Sequence, residues 1–224
     1  MFRLLFIFSF ISIMYSADII GVIIKSQGKI EYKKSSNGKT QQGLPKGTPL
    51  FNNDVINTKD DGFAIFLYVD DQSQVKIQKN TELVIRGAIE PGNIVKQINV
   101  SNGTIKANVK KQKGSDFTVV SPTSVAAVKG TDFWGVIDQS NGDKFCGLSG
   151  SVAITNSITN ETVQLLANTT AISLRDGSIG VTPTEEGDLP EDQDPGEGES
   201  GETEIRIPFQ NDAGEQKELI IKIN

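Results

Sequence analysis

Three serines stand three residues before a lysine, the spacing that a serine nucleophile and a lysine general base can use. The pairs are Ser26/Lys29, Ser36/Lys39 and Ser73/Lys76. They fall in a predicted hairpin turn, in a glycine-containing loop and at the start of a predicted strand, and the partner motifs of this chemistry are missing. The chain also contains no histidine, which excludes Ser-His-Asp and Cys-His catalysis and histidine-ligated metals. We therefore predict no catalytic residues and no enzymatic activity.

Carboxylates offer a second kind of chemistry. Two pairs could perform acid–base work: Asp60/Asp61 and Asp70/Asp71. Both are more simply turn residues, whose side chains bond the nearby backbone. Four oxygen donors in an acidic segment could bind Ca²⁺: Asp188, Glu191, Asp192 and Asp194. Their spacing fits no EF-hand loop, so we expect no metal and no other cofactor, with a calcium site as the alternative.

The N-terminus has the pattern of a secretory signal peptide. Arg3 precedes an apolar run over residues 4–13, and small residues follow at Ser16 and Ala17. The run is too short to span a bilayer comfortably, so we assign residues 1–17 to a cleaved signal peptide, with an uncleaved anchor as the alternative. We therefore expect an exported protein, periplasmic or at the cell surface, with no transmembrane segment in the mature chain.

Composition limits how the exported chain can be stabilised. Cys146 is the single cysteine, so no internal disulfide can form and stability must come from the core. The net charge of -6 hides an asymmetry, because residues 185–204 hold ten acidic and no basic residues. A segment so rich in acid, Gly and Pro buries little apolar surface. Residues 184–204 are therefore predicted to be a disordered linker.

Short β-prone runs alternate with Gly, Asn, Asp and Pro turns from residue 19 to about residue 182, and no sustained helical stripe occurs. This spacing predicts one all-β domain over residues 18–183. Both faces of Phe63–Val69 are apolar, so something should cover its second face. Apolar alternation over residues 205–224 predicts a C-terminal β-hairpin, which would be marginal alone. We expect this hairpin to fold back onto Phe63–Val69; docking on a partner or a second copy is the alternative.

Seven short motifs follow one another along the predicted β domain. They are 28–32, 47–50 with 54–58, 62–73, 80–83, 103–105, 122–133 and 150–154. In this order they resemble the FecR domain, the exported portion of bacterial ferric-citrate-type signalling regulators. The resemblance implies an elongated, twisted stack of short strands, partly solenoid- or roll-like. It does not extend to the membrane helix and cytoplasmic region of the full regulators, so we expect a stand-alone accessory module that does not signal across a membrane by itself.

Candidate contact residues come from the family hallmark, "PTSVAAVKGTDF", and from charge. The resemblance implies a fixed corner at Gly130 and Thr131 and a core anchor at Phe133, and Lys129 replaces the usual arginine. If Phe133 points inward, Trp134 points outward and can contact a partner; a core role for Trp134 is the alternative. Four lysines are predicted to form a basic contact patch: Lys106, Lys110, Lys111 and Lys113.

The function expected from these features is non-enzymatic. We predict a protein-binding or scaffolding module, a signalling accessory, that contacts an unidentified protein of the cell envelope. A cell-wall or glycan-binding module is the alternative. No nucleic-acid partner is expected, and the sequence specifies no oligomeric state.

Overall fold

The computed structural model describes residues 19–194, 203–210 and 215–223, and every regular element in these ranges is a β-strand. The first strands are β1 (Gly21–Gln27), β2 (Ile30–Lys33), β3 (Thr40–Gln42), β4 (Pro49–Leu50), β5 (Asp54–Thr58), β6 (Phe63–Tyr68), β7 (Gln74–Ile77), β8 (Glu82–Glu90) and β9 (Asn93–Asn108). The next are β10 (Phe117–Val120), β11 (Ser124–Val128), β12 (Asp132–Asp138), β13 (Gly142–Ser149), β14 (Ser151–Asn156), β15 (Thr162–Leu166), β16 (Thr169–Ser173) and β17 (Ile179–Pro183). Two more, β18 (Thr203–Gln210) and β19 (Gln216–Ile223), follow the acidic segment. The all-β prediction is confirmed.

Strands β1–β17 form one continuous open sheet with two arms that share β9. The front arm has the order β4-β1-β6-β7-β9-β12-β13-β16-β17, and the back arm has the order β3-β2-β5-β8-β9-β10-β11-β14-β15. Residues 93–102 of β9 pair with β8, and residues 103–108 pair with β12. The chain passes repeatedly from one arm to the other, which produces the predicted roll-like stack of short strands.

The inner faces of the two arms pack on a common hydrophobic core. Tyr68 of the front arm joins them, because its hydroxyl donates to the carbonyl oxygens of Arg86 and Gln97 in the back arm, each at 3.2 Å. Its ring also meets Phe117 of the back arm edge to face, with centroids 5.8 Å apart. A buried tyrosine hydroxyl needs such partners, so Tyr68 fixes the spacing of the arms as well as filling the core.

Strand β6 is buried on both faces, as its unbroken apolar sequence predicts. Phe66 points into the core, whereas Ile65 and Leu67 point outward and are only 5% and 0% exposed. Val22 on β1 packs against Leu67 on the outer face. A further segment of the chain crosses this face beside Ile65 and is described below.

The C-terminal hairpin forms as predicted. Strands β18 and β19 pair antiparallel, with residue 205 opposite residue 221. Gln72, in the turn after β6, donates from Nε2 to the carbonyl oxygen of Lys222 at 3.2 Å. This hydrogen bond places the hairpin beside the end of β6, while packing of the hairpin on the outer face of β6 stays a prediction.

Three predictions fall on residues outside the described ranges. They concern the signal peptide at 1–17, the linker residues 195–202 and the hairpin turn within 211–214. The domain boundaries stay predictions. Within the ranges that are described, no helix is long and apolar enough to cross a bilayer.

Candidate functional site

One row of side chains crosses the outer face of the front arm. Successive register partners along it are Lys25, Ile65, Lys76, Lys106, Trp134, Cys146, Thr170 and Thr182, hereafter the front row. Residues paired across neighbouring strands share a face, so the chain's only tryptophan and only cysteine stand side by side. Lys76 and Lys106 are also direct partners, and two like charges in this position repel each other unless an anion lies between them.

Residues 184–194, hereafter the strap, supply these anions. The Asp192 Oδ2 atom lies 3.5 Å from Lys76 Nζ and 3.4 Å from Lys106 Nζ. Asp194 forms a second ion pair with Lys76 at 3.0 Å and another with Lys25. The prediction of a disordered linker is therefore wrong for the strap, because its carboxylates are bound to lysines of the front arm.

Asp188 holds the other end of the strap on β13 and β16. Its Oδ1 atom lies 3.4 Å from Lys144 Nζ, and its Oδ2 atom accepts a hydrogen bond from Thr170 Oγ1 at 3.2 Å. The Cys146 thiol donates to the Asp188 carbonyl oxygen at 3.4 Å. Cys146 is fully buried, and this burial raises the pKa of its thiol. The chain's only thiol is thus covered and protonated at neutral pH.

Trp134 lies on the face opposite Phe133, as strand parity predicts, but it is only 4% exposed. The strap contacts Cys146 through Asp188 and Lys106 through Asp192, and these are the two register neighbours of Trp134. The Lys106 Nζ atom also lies 5.2 Å from the indole centroid. The prediction that Trp134 is an exposed partner contact is wrong, because the strap crosses the sheet at this residue.

The strap carboxylates are held in their charged form. Burial alone would raise the pKa of Asp192 and of Asp194, but hydrogen bonds and the nearby lysine charges outweigh it and hold both values below the ordinary aspartate value. The pKa of Asp188 is also lowered, chiefly by a hydrogen bond from the Glu185 amide. A carboxylate whose pKa is lowered by folding stabilises the folded state when the pH is above about 3.9, its pKa in the unfolded chain. This stabilisation is lost as the pH falls through the pKa of the folded state. The strap contacts are therefore fully formed at neutral pH.

A separate groove of about 730 Å³ lies on the outer face of the back arm. Its floor is formed by Ala127 and Ala153, direct partners on β11 and β14, with Gln164 of β15 beyond them. The loop after β9 brings Lys110 and Lys111 to its side. The remaining lining residues are Val109, Asp116, Lys129, Gly130 and Ser151. The small side chains of the floor leave room for a ligand beside the lysines.

The corner between β11 and β12 positions part of this groove. Gly130 has a φ of 150°, a conformation that favours glycine, and a Cβ atom there would lie 3.2 Å from the Lys111 Cα atom. Thr131 exchanges two backbone hydrogen bonds with Val109, at 2.8 and 3.0 Å. These contacts fix Lys129, directly before the corner, close to Lys111.

The predicted basic patch is divided between the two arms. Lys110 and Lys111 line the groove, and Lys113 is exposed outside its lining. Lys106 instead belongs to the front row, so its grouping with the other three lysines is wrong. The reason is that β9 ends at Asn108, and the chain leaves the front arm before it reaches Lys110.

Comparison with known proteins identifies the fold family of this region. Residues 54–153 match the FecR protein family. This part of the chain is similar to the FecR domain. No curated protein matches the chain. Two crystal structures of a proposed anti-sigma factor from Parabacteroides distasonis ATCC 8503, at 2.50 and 1.65 Å resolution, are similar to it at 18% identity, with TM-scores of 0.49 and 0.48. Each comparison covers 58% of this chain and 59% of the solved chain, so the present chain spans about three fifths of that protein.

The residues that match the FecR family include most of the front row and the groove, whereas the strap lies outside them. The D-x-I-x-T motif is a structural element in this chain. The buried Asp54 carboxylate accepts hydrogen bonds from the amides of Ser35 and Phe51, at 2.9 and 3.0 Å, and from the Tyr32 hydroxyl. Thr58, at the other end of the motif, is also buried. The motif thus holds this part of the back arm together.

The oxygen donors considered for Ca²⁺ are placed differently by the fold. Asp188, Asp192 and Asp194 form ion pairs with lysines, and Glu191 is exposed. Among the residues that the structure describes, no three His, Cys, Asp or Glu side chains converge as metal ligands.

Sequence reasoning missed three lysines that bind the strap: Lys25, Lys76 and Lys144. Strand parity places each of them on an outer face, which is a usable signal. Their alignment into one surface depends on the register between strands that are far apart in the chain, and no local pattern specifies that register.

Proposed function

We propose that this FecR-like chain is a non-enzymatic protein-binding module of the cell envelope that acts as a signalling accessory. The observation that carries the proposal is the lysine-lined groove of the back arm. Lys110 and Lys111 are exposed and form no ion pair within the described part of the chain. Lys129 has a side chain that is 79% exposed and reaches only Asp116, at 3.8 Å.

The groove suits an acidic segment of a partner protein. Its volume of about 730 Å³ lies within the range of roughly 300–1,000 Å³ that is usual for ligand sites. Lysines without counter-ions beside a small-residue floor attract carboxylates and favour rapid, charge-steered association. The signal-peptide pattern supports export, and the absence of histidine supports a binding role over catalysis.

The glycan alternative depends on exposed aromatic rings. Trp134, Tyr32 and Tyr68 are 4%, 1% and 0% exposed. In the described ranges, therefore, no tryptophan or tyrosine offers a stacking surface for a sugar, and the protein-binding function is favoured.

Charge reversal in the groove tests this function. The variant K110E/K111E/K129E, used as bait in a cell-envelope extract, is expected to recover its protein partner about tenfold less efficiently than the wild type. Three exposed charge contacts of about 0.5–1 kcal/mol each would together account for a loss of this size. The measurement is quantitative recovery, with the protein and glycan fractions analysed separately.

A matched control separates the groove from net charge. The variant K33E/K39E/K46E makes the same charge change at exposed positions outside the groove and should keep the partner. Equal losses in both variants, or specific recovery of glycan instead of protein, would contradict the proposal.

A further inference from the structure

We propose that the front row is a second binding site, for an acidic peptide of a partner protein, and that the strap occupies this site in cis. The inference does not rest on the groove, which lies on the other arm. It rests on how the strap is held, on what the front row would present without it, and on the charge of the residues involved.

Charge holds the strap on the sheet. Leu189, its only large apolar residue, is 47% exposed. Within residues 185–194 no backbone–backbone hydrogen bond to the sheet is formed, and the direct backbone contacts run to the side chains of Gln78 and Cys146. A cavity of about 390 Å³ lies between Pro190 and Glu191 of the strap and the strand ends, where Gln193 makes the contact to the sheet. Such a segment can be exchanged without breaking a β ladder.

The front row would be a basic surface with an aromatic centre if the strap left. Lys25, Lys76 and Lys106 would lose their counter-ions, and the indole of Trp134 would be uncovered beside Lys106. Two directly paired lysines favour any ligand that places an anion between them. The chemistry of the site thus selects anionic ligands.

The strap itself shows which ligand fits. Asp192 bridges Lys76 and Lys106, and Asp194 bridges Lys76 and Lys25, so two carboxylates spaced two residues apart pair with three lysines that are distributed over four neighbouring strands. The strap achieves this with a bend at Gln193, where the Asp194 amide donates to Asp192 Oδ1 at 3.1 Å. The partner that fits is therefore a segment with two acidic residues, spaced i and i+2, that can adopt this bend.

Occupation in cis also regulates the site. A tethered ligand is present at high effective concentration, so it competes well although each of its contacts is weak. The apparent affinity for a free peptide is reduced in proportion to the fraction of molecules with an open site. Any change that weakens the strap is then expected to strengthen binding of the partner.

Peptide binding to the full chain tests the proposal. The probe is a fluorescein-labelled synthetic peptide with the sequence of the strap, TEEGDLPEDQD, followed by fluorescence anisotropy. The variant D188N/D192N/D194N, in which the strap has lost its paired carboxylates, is expected to bind the probe at least about tenfold more tightly than the wild type. Adding K76Q/K106Q to this variant should abolish the gain.

The strap offers its own matched control. Glu185, Glu186 and Glu191 are exposed and form no ion pair with the described residues, so E185Q/E186Q/E191Q makes the same charge change and should bind the probe as weakly as the wild type. Should the triple Asn variant fail to fold, D192N alone removes the carboxylate shared by Lys76 and Lys106 and should still tighten binding. A folded Asn variant that binds the probe no better than the wild type would overturn the proposal, because the strap would then be a structural cover only.

Discussion

Replacing Lys96 with methionine is expected to lower the free energy of unfolding by about 3 kcal/mol or more. The Lys96 side chain is 0% exposed, and its Nζ atom lies 2.6 Å from Asp70 and 3.1 Å from Asp71. The ammonium group also donates to Gln112 Oε1 at 3.2 Å and to the Ile94 carbonyl oxygen at 3.3 Å. A buried ammonium group with this set of partners is satisfied, and removal of the lysine leaves two carboxylates without their cation.

Replacement of Lys96 is expected to destabilise the whole domain, because this residue joins the two arms. It belongs to the back-arm portion of β9, whereas Asp70 and Asp71 lie in the turn between the front-arm strands β6 and β7. Burial alone would raise the pKa of Asp71, but hydrogen bonds from the Ser73 amide and from Lys96 outweigh it and hold this pKa below the ordinary value. The network therefore joins the two arms at one end of the core and keeps a charged carboxylate there.

Urea denaturation of the K96M variant measures the effect. The triple variant K96M/D70N/D71N, which removes the whole charged network, should recover part of the lost stability, because it leaves no carboxylate without its cation. The exposed Lys33 offers a control, and K33M should change stability by no more than about 0.5 kcal/mol. A K96M variant as stable as the wild type would show that the network is not stabilising.

The Trp134→Ala variant is expected to lose about 3 kcal/mol of stability. The indole is 4% exposed between Lys106 and Cys146, and its loss removes apolar burial together with the contact to the Lys106 ammonium group at 5.2 Å. The value lies at the lower end for a buried tryptophan, because the strap can settle into part of the space.

Trp134→Phe provides the matched control for this position. It keeps an aromatic ring under the strap and should cost about 1 kcal/mol, both variants being compared by chemical denaturation. A Trp134→Ala variant within about 0.5 kcal/mol of the wild type would identify the residue as a surface side chain, and would contradict the covered front row.

Strand parity and turn composition explain why so much of the fold could be predicted. The apolar run of Phe63–Val69 indicated a strand covered on both faces, and the alternation around residues 205–224 indicated the hairpin; both features are present. These are local patterns, because each strand must present apolar residues to the core at every second position. The FecR motif order then placed the strands within one domain.

The burial of the front row could not be predicted from local sequence patterns. Parity correctly put Trp134 on the face opposite Phe133, but burial of that face depends on the strap, about 55 residues further along the chain. Composition describes the strap as an acidic segment that cannot bury apolar surface, and Leu189 is indeed exposed. Composition does not show that the carboxylates bind lysines such as Lys25, which lies 169 residues from Asp194. A segment can thus be held by long-range charge pairs although it has no apolar reason to fold.

The groove of the back arm could be predicted from the sequence only in part. Lys110, Lys111 and Lys129 could be selected from sequence as charged and exposed. Their convergence follows from the Gly130 corner and the end of β9 at Asn108, neither of which can be located from charge alone. Lys106 shares their charge, but it lies on β9, and the end of this strand at Asn108 separates it from the other lysines.

The reactivity of Cys146 tests the covered front row most directly. The chain has one cysteine, and its thiol lies 3.4 Å from the Asp188 carbonyl oxygen beneath the strap. In native buffer the wild-type thiol is expected to be alkylated by iodoacetamide at least about a hundredfold more slowly than in the denatured chain, as an opening free energy of about 3 kcal/mol requires. The D188N/D192N/D194N variant should react much faster while it keeps its β-sheet circular dichroism, and E185Q/E186Q/E191Q should react like the wild type. A native wild-type thiol that reacts as fast as the denatured one, or a neutralised strap that leaves the rate unchanged, would contradict the account.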